Sequence, residues 1–483
     1  MSEPTLPAGR LPIKLDATSN GEFEPVPLDA VALYARERAL AAMAEGQRRL
    51  ATSRRGYLTS LIGAAATLSA FNEAFAAAGQ RGGHYALPKE SPFELAAAQT
   101  VLASDDFIFD VQLHHVNPKG AWRQRAGAAT FLRGMPNSNC GRADHVECFS
   151  SGALLKDVFH DSDTAMGVLS HVPGGMQTNP LDFEAAGATR AAAHALDGTQ
   201  RLLLHGRCMP TLPGEIDGMD AQAAQFPVAA FKTYTQFGPS DGAAGFYLDD
   251  DHFGTPFIER ARKLGVSTVA VHKGLAFGAR GYEYSTARDI GPAARRHPDM
   301  TFLIYHSGFD TAVKEGSYDA NAKAGVDVLV RSMQESGNPR NVYAELGSTW
   351  RFVMRDPDQA AHLLGKLLNT FGEDRVLWGT DSIWYGSPQD QILAFRAFQI
   401  SPEFQQRHGY PALTPELKRK VFGLNAARVY GLKPDELRRN LAKDRVQKSK
   451  LEYLNDPRPN FATYGPRTRR EWLAFKALVG DTP

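Results

Sequence analysis

The chain has 483 residues, 43% hydrophobic and 22% charged, an ordinary balance for a globular protein. Its formal net charge of +1 gives no electrostatic ground for binding nucleic acid or an anionic membrane surface. No apolar run reaches the roughly 18–20 residues that cross a bilayer. Three cysteines, Cys140, Cys148 and Cys208, form no CxxC pair, and their odd number excludes a complete disulfide framework.

Residues 1–27 carry five prolines and few periodic apolar positions, which predicts an extended arm. Residues 28–104 read as a helical N-terminal segment, with two helices over 28–80 separated near Ser53–Gly56. Inside it, Ser53-Arg54-Arg55-Gly56-Tyr57-Leu58-Thr59 precedes the mildly apolar Ser60–Phe71 and then Ala74-Phe75-Ala76-Ala77. A twin arginine, a short apolar region and a small-residue site in that order resemble a Tat export signal, which would make the protein periplasmic. Against export, about fifty residues lie in front of the twin arginine, and Asn72 and Glu73 interrupt the apolar region. The alternative is a helix pair packed on the domain that follows, in a cytoplasmic protein.

From Phe107 onward, strand and helix patterns alternate, which indicates a largely parallel α/β architecture. Strands are expected at Phe107–His114, Thr164–His171 (ending at a Pro-Gly-Gly turn), Arg201–His205 and Val228–Tyr234. Four more end at His272, His306, Glu345 and Asp381. Eight such strands predict a (β/α)8 TIM barrel over residues 105–432. The long connection 115–160, with Asn117–Gly120 and the polar stretch Pro136–Glu147, is placed to lie over the mouth. Residues 433–483 hold 12 Lys/Arg against 7 Asp/Glu. With Pro457–Pro459 and Gly465-Pro466, they suggest a basic C-terminal extension wrapping the barrel or a neighbouring subunit, which leaves a homo-oligomer open. A charge excess this small reads as a solvated face.

Buried parallel strands are normally apolar throughout, so a polar residue at a strand's C-terminal end needs a reason. Here those ends carry Gln112, His114, His171, His205, Lys232, His272, His306, Glu345 and Asp381. That is the placement an active site at a barrel mouth requires. Asp249-Asp250-Asp251-His252 looks metal-like but precedes a helix, and its carboxylates read as stabilising that helix start. No Gly-x-Ser-x-Gly elbow supports a serine triad, and no Gly-x-Gly-x-x-Gly supports a dinucleotide site.

Four fragments carry a family likeness: Val271-His272-Lys273-Gly274, Tyr305-His306-Ser307-Gly308, Gly379-Thr380-Asp381-Ser382 and the closing Gly423–Leu432. In this order they resemble the amidohydrolase-related family of metal-dependent hydrolase and decarboxylase barrels, over roughly Phe107 to Leu432. The resemblance implies one divalent metal, zinc or alternatively manganese, held by His114, His272 and Asp381 with water at an open position. It implies Asp381 and His306 as catalytic residues, the first accepting a proton from water, the second polarising the substrate or helping to activate the nucleophile. Gln112, Lys232, Glu345, His205 and His171 are then substrate-binding or supporting residues. The family's Asp-x-His-x-His strand reads Asp110-Val111-Gln112-Leu113-His114 here. A neutral amide is a poor zinc ligand, so either three ligands hold the metal or the site works without one. Lys232 is expected to meet a substrate carboxylate or to pair with Glu345.

These expectations define a hydrolase acting on a small carboxylate-bearing lactone or amide. A non-oxidative decarboxylase on the same barrel is the alternative. A catalytically reduced barrel serving as a binding protein is the reading from another class, kept open by Gln112.

Overall fold

Residues alternating between two apolar environments build the strands of this molecule. The computed structural model describes residues 10–16, 18–19, 24–124, 145–172, 179–195, 200–236, 245–276, 281–461, 463 and 466–473. A short β1 (Gly83–Tyr85) precedes β2 (Ile108–Leu113), β3 (Thr164–Leu169), β4 (Leu202–Arg207), β5 (Val228–Tyr234) and β6 (Thr268–His272). Then come β7 (Thr301–Tyr305), β8 (Val342–Glu345), β9 (Val376–Leu377) and β10 (Phe398–Ile400). Strands β2 to β9 pair in sequence order, all parallel. The ring closes where Leu113 bridges Ser382 in parallel and the Val111 N–H donates to the Trp378 carbonyl at 3.0 Å. This is the expected TIM barrel.

Period two sorts the side chains. Val269, Val271, Phe302 and Ile304 face the helical layer, whereas Ala270, Leu303 and Tyr305 join Phe109, Val111, Met166 and Val168 inside the barrel. Ala426 and Ala427 pack against that interior set. One strand boundary shifts a functional reading. β4 continues past His205 to Arg207, so His205 lies two residues short of the strand end.

Three helices stand where two were expected: α1 (Ala30–Leu50), α2 (Arg54–Leu58) and α3 (Leu61–Ala77). Ser53 caps α2 and Ser60 caps α3, each side chain accepting the backbone N–H three residues on. Ala32, Ala35, Ala39, Met43 and Gly46 form the buried stripe of α1. Gly46 is required there because a Cβ would lie 2.1 Å from the Tyr57 hydroxyl. α3 buries Ala64, Ala65, Leu68, Phe71, Ala74 and Phe75, and Asn72 exchanges hydrogen bonds with the Tyr85 backbone at 2.7 and 2.8 Å. Tyr85 belongs to β1, which pairs antiparallel with β10, a small sheet not anticipated from the sequence. The twin-arginine segment is thus packed within the fold, with Arg55 donating to the Pro457 carbonyl at 2.6 Å.

The N-terminal arm is seated too: Leu11, Ile13 and Leu15 are buried in the main core. The tail wraps its own barrel as two further helices, Pro434–Leu441 and Arg445–Tyr453. Arg201 makes a two-pronged, buried ion pair with Asp444, and His160 stacks on Tyr453. Cys208 is free and buried, while Cys148 is disulfide-bonded. Residues 136–144 of the polar stretch, the Pro-Gly-Gly turn, Cys140, Gly465 and the first nine and last ten residues lie outside the described residues. Among the described residues no helix is long and apolar enough to cross a membrane.

Candidate active site

The ends of β2 and β7 and the segment following β9 bring one carboxylate, two imidazoles and an amide together with no exposure to solvent. Asp381 Oδ1 lies 3.1 Å from His114 Nε2 and 3.2 Å from Gln112 Nε2. Gln112 Nε2 is also 3.4 Å from His306 Nε2. His272 joins the edge of the group, its ring 4.5 Å from that of His306, with Nε2 against the Gly274 carbonyl at 3.1 Å. The structure therefore gathers Gln112, His114, His272, His306 and Asp381 at one mouth.

Hydrogen-bond partners fix the protons. His114 Nδ1 faces the Ser170 carbonyl at 2.7 Å, and its Nε2 faces Asp381. Both neighbours are hydrogen-bond acceptors, and His114 and Asp381 form a buried imidazole–carboxylate contact. Burial alone would raise the Asp381 carboxyl. Its contacts with His114 and the Ser348 hydroxyl bring it below the ordinary carboxylate range instead. Burial pushes His306 down to about 4, and it is neutral at physiological pH. Its Nδ1 donates to the Gly347 carbonyl at 2.7 Å, which leaves the Nε2 lone pair facing Gln112 and the site. Burial also drives His272 well below its usual value, so it too is neutral.

Three of the strand-end residues do other work. Among the described residues Glu345 makes no ion pair with Lys232. Its carboxylate accepts the backbone N–H groups of His306 at 3.0 Å and Gly347 at 2.6 Å, and burial raises it well above the usual range. The expected Lys232–Glu345 pair is corrected accordingly. Lys232 instead lies over the Tyr305 and Tyr234 rings, 3.8 and 4.5 Å from their centroids. His205, one layer deeper than a mouth residue, bonds the Tyr430 hydroxyl at 2.8 Å and stacks on Tyr305. It braces the barrel interior. His171 stacks on Phe183 and bonds the Leu181 carbonyl at 2.9 Å, in the wall of the loop after β3. Away from the mouth, Asp250 accepts the backbone N–H groups of His252 and Phe253 before the helix Gly254–Lys263, the helix-start role expected of that acidic run.

Residues the sequence did not single out complete the site. Ser348 donates to Asp381 Oδ2 and is 2.8 Å from the Tyr385 hydroxyl. Asp110 holds the Thr380 backbone and side chain beside Asp381, and burial pushes it up to about 7. Asp381, His306 and Ser348 all adopt positive φ, at 57°, 64° and 52°. Such backbone is uncommon outside glycine and clusters at functional sites.

A divalent ion was the cofactor implied by the resemblance, and the donor set fits it badly. Among the described residues no three His, Cys, Asp or Glu side chains are arranged to hold an ion. His114 and Asp381 are engaged with each other, and His272 turns to Gly274. The Gln112 Oε1, its only atom suited to a metal, is buried without a hydrogen-bond partner and presses on Gly347, where a Cβ would stand 2.0 Å away. Turning the amide over would set that oxygen against the Asp381 carboxylate.

The family model described as amidohydrolase matches residues 152–432, more than half of the chain, and the chain belongs to that family. No curated protein matches it. Among solved structures it is similar to a putative 2-pyrone-4,6-dicarboxylic acid hydrolase from Pseudomonas putida, at 17% identity over 68% of this chain and 98% of that one (TM-score 0.38). It is also similar to 2,6-dihydroxybenzoate decarboxylase from Rhizobium, at 14% identity over 68% and 99% (TM-score 0.40). A third is 5-carboxyvanillate decarboxylase from Novosphingobium aromaticivorans, a manganese complex, at 13% identity over 68% and 97% (TM-score 0.42).

Proposed function

We propose that this amidohydrolase-family barrel is a hydrolase that opens a small carboxylate-bearing lactone or amide, with Asp381 as the base that activates water. The observation that carries this reading is the contact between Asp381 and His114, with the His306 lone pair facing the same point. An ionised carboxylate and a neutral imidazole can take a proton from water as its oxygen attacks the substrate carbonyl. The His114 Nε2–H and the Gln112 amide are hydrogen donors for the oxyanion that develops. As the C–O or C–N bond breaks, the leaving atom takes the proton held by Asp381, which returns the site to its starting state. Lys232, a buried cation inside the barrel, is assigned the substrate carboxylate.

The contact between His114 and Asp381 also favours a second reading. A non-oxidative decarboxylase needs a proton to deliver to the carbon that loses carbon dioxide, and the His114–Asp381 contact is placed to supply one. The product separates the two readings: a ring-opened or cleaved acid for the first, carbon dioxide for the second. Packing of α1 to α3 into the fold supports a structural role for residues 53–77 rather than a cleaved export signal.

The test uses Asp381→Asn, which keeps shape but cannot accept a proton. Turnover of a panel of carboxylate-bearing lactones and amides should fall by about 10²–10⁴-fold. A chelator should leave wild-type turnover unchanged, because no step passes through an ion. A folded Asp381→Asn protein with wild-type turnover refutes the base, whereas a wild-type protein inactive on the whole panel leaves the barrel to be read as a binding protein. Loss of activity on chelation, restored by zinc or manganese, returns the metal to the mechanism.

A further inference from the structure

We propose that the N-terminal arm is a working part of the active site: Lys14 positions Tyr385, whose hydroxyl orients Ser348 on Asp381. The proposal rests on Asp381 being the catalytic base.

The chain of contacts is continuous. Lys14 Nζ donates to the Tyr385 carbonyl at 2.6 Å and the Ser387 carbonyl at 2.9 Å, and sits 3.6 Å from an Asp390 carboxylate oxygen. The Lys14 backbone N–H donates to the same carboxylate at 3.1 Å. Arg351 donates to the Lys14 carbonyl and, at 3.2 Å, to that of Asp16. Arg351 stands three residues beyond Ser348, in the short helix Thr349–Val353. One short stretch of arm therefore staples both segments that meet at the carboxylate, the one following β8 with Ser348 and the one following β9 with Tyr385.

Hydrogen counting gives the direction of the relay. The Ser348 hydroxyl has one hydrogen, and the carboxylate takes it, so Tyr385 must donate to the serine oxygen. With Oδ2 occupied this way, Oδ1 is the oxygen presented to His114 and Gln112. Without the relay the carboxylate can turn about its Cβ–Cγ bond and lose that presentation. Lys14, Tyr385 and Ser348 are positioning residues, and their loss should lower kcat with little change in KM.

Three variants of the full-length protein test this. Tyr385→Phe removes one hydroxyl from a buried ring, and Lys14→Met keeps length while removing the donor. Ser348→Gly removes the hydroxyl and relaxes the positive φ, so any loss reports the hydrogen bond and not backbone strain. Each should reduce kcat by about tenfold or more, with KM within about twofold. Lys14→Met combined with Tyr385→Phe should be no slower than the slower single variant, because both act through one path. Wild-type kcat in Tyr385→Phe and Ser348→Gly, or independent multiplication of the Lys14 and Tyr385 effects, overturns the proposal. Asp381→Asn is run beside them. If it is inactive while the relay variants are normal, only this inference fails. If it keeps full turnover, the assignment of the base fails first.

Discussion

His306 and Asp381 hold backbone conformations that cost a non-glycine residue of order 1–3 kcal/mol each, and their neighbours compensate. The His306 N–H donates to Glu345, and the Asp381 N–H to the Gln112 carbonyl at 3.0 Å. The arrangement depends on two glycines with no room for a side chain. At Gly379 a Cβ would meet Glu345 Oε1 at 1.6 Å and Gln112 Cβ at 3.3 Å, and Gly347 is similarly enclosed. Gly379→Ala should therefore displace Glu345 from the His306 turn, abolish turnover and destabilise the fold by about 1–3 kcal/mol. An alanine variant with normal kcat and melting temperature would falsify that packing. A second substitution probes the amide. Gln112→His restores the imidazole implied by the family pattern and should raise zinc or manganese retained after purification, measured by elemental analysis against wild type. Equal, negligible metal in both proteins would mean that position 112 is not what limits binding. His114, His306 and Asp381 were legible as polar ends on apolar strands. Ser348 was not, because a loop serine acquires its role only from its backbone twist and from a tyrosine 37 residues away. The place of His205 was harder to read: β4 runs two residues beyond it, which sets it in an interior layer instead of at the strand end.

At the scale of elements, the helix α3 decides how the twin-arginine segment is read. Its sequence alone, small and apolar after two arginines, suits an export signal and a buried helix equally well. The structure adds what sequence could not: a partner stripe on α1, Ser60 as a cap and Asn72 locked to β1. Asn72 interrupts an apolar run, and its side chain exchanges hydrogen bonds with the Tyr85 backbone. Cleavage after Ala77 would remove all three helices and uncover the faces they bury, including those lined by Phe71 and Phe75. A chain starting at Ala78 is expected to be insoluble or molten, judged by loss of a cooperative thermal transition. Protein purified from its native host should keep residues 54–77. A soluble, cooperatively folding chain from Ala78 would show that these helices are dispensable to the barrel and would reopen export. The arm was legible as extended from its prolines, but its seat in the core was not. Leu11, Ile13 and Leu15 alternate over too short a stretch to distinguish a bound strap from a free one.

Across the whole molecule, the barrel was readable because eight apolar runs ended in polar residues. The same burial that makes those residues conspicuous sets the protein's response to acid. Burial lowers His115 to about 4, His171 to about 3 and His306 to about 4, and takes His205 and His272 well below their usual value. In the unfolded chain each would titrate near ~6.5. A group depressed on folding contributes its full stability above the unfolded value and loses it as pH falls toward the folded one. Buried carboxylates work in the opposite sense. Asp110, raised to about 7, and Glu345, raised well above its usual range, favour the folded state as pH falls. The lowered histidines, His362 at about 4 among them, outnumber the strongly raised carboxylates, so unfolding takes up protons in this window, at a loss of up to about 1.4 kcal/mol per pH unit for each net proton. Set against a typical total of ~5–15 kcal/mol, that loss is large. The melting temperature should therefore stay near its maximum above about pH 7 and fall steeply between about pH 6.5 and 5, read by calorimetry in buffers of matched ionic strength. Replacing His171, which lies outside the catalytic cluster, with the uncharged and similarly sized Gln should flatten that slope by about one proton. A melting temperature independent of pH across the window would mean that these imidazoles titrate in the folded protein near ~6.5, as they do in the unfolded chain. His306 would then gain its proton within the same window, and its part as a proton acceptor beside Asp381 would be lost below about pH 6.5.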